Sequence, residues 1–139
     1  MRTTILLTAL FIGACGVEPQ PPLVATEVVV TRPMPGMAMS AAYLSLTNNT
    51  DQPIHISRVT SAQFESVQLH ESSIEDGVAR MRAIPVLQIP AGETATLERG
   101  GKHLMLMRPR GTFESVSLQF FDDDDLILNV DANVQAIAN

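Results

Sequence analysis

The segment Met39-Ser40-Ala41-Ala42-Tyr43-Leu44-Ser45-Leu46-Thr47 alternates in steps of two. Ala42, Leu44 and Leu46 fall on one side, and Ala41, Tyr43 and Ser45 on the other. A repeat of two is that of a β-strand with one buried face. Outward from it, Asn48-Asn49 punctuates the end of the run and residues 33–36 its beginning. The same texture, short β-branched or aliphatic runs between turn residues, continues along the chain. It predicts strands over residues 24–31, 39–47, 53–60, 65–71, 78–86, 94–98, 103–107, 113–121 and 126–134. Asp76-Gly77, Pro90-Ala91-Gly92 and Gly100-Gly101 supply further turns. Helical periodicity is missing after the N-terminal apolar run. The pattern therefore predicts an all-β fold, an antiparallel sandwich or barrel.

A chain of 139 residues suits one such domain. It has no Trp, one Tyr and five Phe, so the core rests on Val, Ile, Leu, Ala and Met. The net charge is −6, and loss of residues 1–14 would make the remainder more acidic, because Arg2 is their only charge. An acidic domain without a basic patch argues against nucleic acid as a partner. A cation or a basic protein suits it better.

Residues 1–14 place Arg2 before an apolar run from Ile5 to Ile12, then small residues. That is a short signal-peptide pattern, too brief to span a bilayer. Ile12-Gly13-Ala14-Cys15 resembles the bacterial lipobox, which implies cleavage before Cys15 and acylation of that residue. Several acyl chains give stable anchoring. The alternative is a plain secreted protein. Gly16, where Asp would retain a Gram-negative lipoprotein in the inner membrane, suggests sorting to the outer membrane. The expected organisation is a signal peptide over 1–14, a lipidated Cys15 with a Pro-rich tether over 15–23, and one domain over 24–139.

With its only cysteine committed to lipid, the domain has His and Met as its soft or borderline metal ligands. His103 and Met105 are two apart in a predicted strand, so they share a face while Leu104 and Leu106 point to the core. Asp76-Gly77 is a preferred two-residue hairpin turn. Centred there, the hairpin pairs Glu75 with Val78, Ser73 with Arg80, Ser72 with Met81 and His70 with Ala83. His70 and Met81 then become diagonal neighbours on one face, about 7–8 Å apart. A three-residue loop would break that parity. Thioether sulfur selects Cu(I), and two Met ligands argue against zinc. A blue-copper electron carrier needs a Cys thiolate in the domain, which is missing. Outside the cytoplasm, thioethers also avoid oxidation to disulfides.

The spacing His-x10-Met-x21-His-x-Met, from His70 to Met105, resembles the motif of the periplasmic copper chaperone family PCuAC. Ala41-Ala42-Tyr43-Leu44, Leu69-His70-Glu71, Asp76-Gly77-Val78, Ile89-Pro90-Ala91-Gly92 and the run from Gly100 to Leu106 resemble that family's recurrent segments, across roughly residues 24–134. The resemblance implies a cupredoxin-like Greek-key β-sandwich that binds Cu(I) through His70, Met81, His103 and Met105. It also implies delivery of copper towards the CuA centre of cytochrome c oxidase, directly to subunit II or through a Sco-type thiol protein. The chain would work on the periplasmic side of a bacterial membrane. Two features differ: the lipid anchor, where many members are soluble, and a C-terminal stretch (133–139) without the His/Met-rich tail that binds Cu(II) in some members. A second copper site is not expected there.

Other residues read more plainly. Met34, Met37 and Met39 form a Met-rich box, and Met107 continues the face of His103 and Met105; each is an accessory ligand or simply packing. His55, between two Ile, reads as a surface residue, and the Asp run 122–125 as a solvated hairpin turn without the spaced loop of a calcium site. No nucleophile motif supports hydrolase chemistry. The functional alternatives are a metallochaperone, a membrane-anchored copper buffer without a dedicated client, and, least supported, a copper redox enzyme. Protons compete with metal for imidazole, so binding is expected to weaken below about pH 6.5.

Overall fold

In the strand Met39–Asn48 every second residue is buried: Ser40, Ala42, Leu44, Leu46 and Asn48. The alternation read from the sequence is thus an inward and an outward face. The computed structural model describes residues 19–33 and 36–136; the leader, Cys15 and Met34 lie outside the described residues.

Among the described residues eleven strands form: β1 Leu23–Thr31, β2 Met39–Asn48, β3 Ile54–Ile56, β4 Arg58–Thr60, β5 Phe64–Glu75, β6 Val78–Ala83, β7 Leu87–Ile89, β8 Thr94–Leu97, β9 Lys102–Pro109, β10 Ser115–Asp122 and β11 Asp125–Gln135. The main hydrogen-bonded order is β4-β10-β11-β1-β2-β9-β5-β6, with β8 also on β2 and β3 paired with β7. One core draws Val59, Val116, Leu118 and Phe120 from one end of this path and Leu69, Leu104 and Leu106 from the other. The sheet therefore curls to face itself across the core, which makes it a sandwich. Asn48, fully buried, is satisfied by the carbonyls of Gln52 and Ile89 and by the Thr50 amide.

The all-β expectation holds, with refinements in pairing and strand bounds. Pairing is mostly antiparallel, but β1 and β11 run parallel through Val30↔Val134 and Thr31↔Gln135. A bulge between Thr26 and Val29, with Glu27 at φ 54°, bends β1 so that its end reaches both β2 and β11. The strand expected over 53–60 is two, because the chain changes sheets at Ser57, whose amide donates to the Phe121 carbonyl. The segment expected to run to Val86 ends at Ala83, ahead of Pro85, which has no N–H to donate.

Candidate metal centre

The site is built outward from a turn. Asp76 at φ 52° and Gly77 at φ 77° give the two positive torsions of a type I′ hairpin. The observed pairs are Glu75↔Val78, Ser73↔Arg80, Ser72↔Met81 and His70↔Ala83, the register expected from the sequence. On its other side β5 pairs with β9 through Leu69↔Leu104 and His70↔His103. Leu69 and Leu104 are buried in the core, so both imidazoles lie on the opposite, outer face. Their rings stack at 6.2 Å between centroids and 25° between planes.

His103 is only 7% exposed. Its Nδ1 lies 3.0 Å from the Gly101 carbonyl oxygen, which also accepts from the Ser72 amide at 3.0 Å. A carbonyl can only accept, so Nδ1 carries the hydrogen and Nε2 keeps its lone pair, the arrangement of a metal-ligating imidazole. Gly101 is held by the β8–β9 turn, where Glu98 N donates to Lys102 O at 2.7 Å and Gly100 adopts φ 80°. His70 differs. Its Nδ1 is buried and has no hydrogen-bond partner, an arrangement that costs free energy unless something binds there. His70 thus keeps a ring nitrogen without a protein partner beside the His103 ring, a donor set that fits a metal.

Met81, Met105 and His103 line a common cavity of about 260 Å³ with Met37, Met39 and Tyr43. His70 does not line it; it borders that cavity's wall through its contact with the His103 ring. The structure thus gathers all four predicted residues on one face, three in the cavity and the fourth behind. Half of Met81 is exposed, at 52%. A second cavity of about 320 Å³ is lined by Leu46, Leu69, Leu104 and Phe120 and has no soft donor. No group of three or more His, Cys, Asp or Glu that could hold a metal occurs among the described residues. His103, Met81 and Met105 are soft or borderline donors that share one cavity.

Two wall residues are not among the candidate site residues read from the sequence. The Tyr43 ring lies 6.5 Å from that of His103, and the Arg99 guanidinium carbon lies 5.5 Å from the Tyr43 ring. Strand parity could have found Tyr43, which shares its face with Ala41. Arg99, in a turn, gave no signal. His55 pairs with Gln88 in the separate β3–β7 sheet, and Asp123-Asp124 turns β10 into β11.

Residues 23–130 match the family described as "Putative lipoprotein LpqE-like". A curated relative, "Putative lipoprotein Lxx21020" of Leifsonia xyli subsp. xyli (strain CTCB07), is 36% identical over 93 residues. That alignment covers 63% of this chain, and the chain spans 56% of the length of that relative. Among solved structures, "Solution structure of CuI-DR1885 from Deinococcus Radiodurans" is 34% identical with a TM-score of 0.67, covering 87% of this chain and 83% of that one. "Copper-bound PCuAC domain from PmoF2" superposes with a TM-score of 0.68 over 84% of this chain and 94% of that one. At 20% identity the latter likeness is one of fold.

Proposed function

This chain belongs to the LpqE-like lipoprotein family and has the PCuAC fold, and from that premise we propose that it is an extracytoplasmic copper carrier. In this reading it takes one Cu(I) between His70, Met81, His103 and Met105. It then hands the ion towards the CuA centre of cytochrome c oxidase, through subunit II or a Sco-type thiol protein. Cys15 anchors it by lipid on the outer side of a bacterial membrane.

The observation that carries the reading is the pairing of His70 with His103 beside a cavity that already holds the thioethers of Met81 and Met105. Four neutral ligands leave a bound Cu(I) with its single charge, and thioethers favour that soft ion. Exposure orders the handover. Met81 is half in solvent and His103 is buried, so an incoming ligand displaces Met81 first and His103 last. The Nδ1–H···O bond of His103 spares the neutral ring a change of tautomer on loading.

The test is a Cu(I) competition titration of the full chain in detergent. His103→Ala and Met81→Leu should each weaken binding beyond the roughly 10- to 100-fold that loss of an orienting partner costs. Unchanged affinity in either variant would refute the assignment. In cells, loss of oxidase activity that added copper restores speaks for delivery. Copper sensitivity alone speaks for a membrane-bound buffer.

A further inference from the structure

The Met-rich stretch ahead of β2 has no task in the four-residue site. Met39 opens β2 directly opposite Met107 of β9, and Ala41 lies opposite Met105. Ser40, Ala42, Leu104 and Leu106 are buried on the core side. Met39, Met105 and Met107 therefore share the outer face with His103. Opposed side chains stand about 4.5–5.5 Å apart at Cβ, within reach of one soft ion. Successive same-face residues of a strand are about 6.6 Å apart, so Met107, Met105 and His103 form a ladder of donors.

Met37 is 44% and Met39 is 40% exposed, Met107 and Met105 are half-buried, and His103 is nearly closed off. Met37 and Met39 line the same cavity as His103, Met81 and Met105. Clustered exposed apolar side chains at a cavity mouth mark a binding surface more often than random exposure does. Here each of them ends in a soft donor.

We propose that Met37, Met39 and Met107 form a rim subsite that binds a second soft monovalent cation, Cu(I) or Ag(I), and passes it inward past Met105. The destination of the ion rests on the four-residue reading; the rim site itself does not. Three thioethers without an imidazole hold the ion more weakly than the inner site and exchange it faster.

The experiment titrates the full chain in detergent with Ag(I) and follows the methionine methyl groups by NMR. Two steps are expected: a tight one that moves Met81 and Met105, then a weaker one that moves Met37, Met39 and Met107. Combining Met39→Leu with Met107→Leu, nearly volume-conserving changes, should abolish the weak step and keep the tight one. The same double variant should load the inner site more slowly from a Cu(I) chelator. A single step in the unaltered chain, or a weak step that survives the double variant, overturns the rim subsite. Equal loading rates overturn the relay. His103→Ala separates the two readings: it should remove the tight step and leave the weak one. A tight step that persists in His103→Ala defeats the four-residue site, while the double variant still judges the rim.

Discussion

Gly101 contributes only a carbonyl to the site, yet that oxygen decides which nitrogen of His103 is free. It accepts from His103 Nδ1 and from the Ser72 amide, so β5 and the β8–β9 turn hold it from two sides. An oxygen fixed in this way orients the ring before any ion arrives. In the metal-free protein at neutral pH, His103 should therefore populate the Nδ1–H tautomer, read from long-range proton–nitrogen correlations. A dominant Nε2–H tautomer would contradict the arrangement. His70, whose Nδ1 has no partner, is not fixed by any such bond. The two imidazoles were equivalent in the sequence. Their different environments depend on the Gly100-Gly101 turn folding back onto β5, a contact between Ser72 and Gly101, 29 residues apart, that no local pattern encodes.

The β5–β6 hairpin divides its residues by face. Glu75 bridges Arg80 and Arg82 on one side, while Ile74, Ala79 and Met81 lie on the other with His70. Parity therefore decides whether a thioether can serve the site. Moving the methionine by two positions, Met81→Ala with Ala83→Met, keeps it on the face of His70 and should retain part of the copper affinity. Moving it by one, Met81→Ala with Arg82→Met, puts it among the ion pairs and should restore none. Equal affinities for the two double variants, measured by competition, would mean that face does not matter. This register was legible because Asp76-Gly77 permits φ > 0 at both central positions, which commits the loop to two residues. His103 and Met105 were legible from strand period alone. The parallel β1–β11 pair was not, because it joins residues about a hundred apart. Nor was β7, whose three residues between Pro85 and Pro90 are too few to show an alternation. The division of 53–60 at Ser57 is set by the Phe121 carbonyl on a distant strand.

Over the whole molecule, β2 separates the proposed copper site from the start of the chain. Its Met39 end carries the thioether rim, and its Asn48 end meets the N-terminal segment. Asn49 holds that segment there, its amide donating to the Pro22 carbonyl and its side chain to that of Pro21, each at 2.9 Å. Nine steps of a strand place the two ends about 30 Å apart. Cys15 lies seven residues before Pro22, which allows at most about 25 Å of extended chain. With Cys15 lipidated as proposed, the Asn49 end stays within about 25 Å of the bilayer, and the rim, at the other end of β2, is free to face solvent. Copper should then pass to a soluble acceptor as readily from the anchored protein as from the free domain. The comparison uses the Cu(I)-loaded lipoprotein in liposomes and a Cys15→Ser variant that remains in solution, with a soluble chelator as acceptor. Equal transfer rates, together with loss of vesicle association in the variant, are expected. A Cys15→Ser protein that still floats with the vesicles would rule out the anchor. Slower transfer from the anchored form alone would mean that the rim faces the membrane, and the acceptor would then have to be a membrane-embedded one.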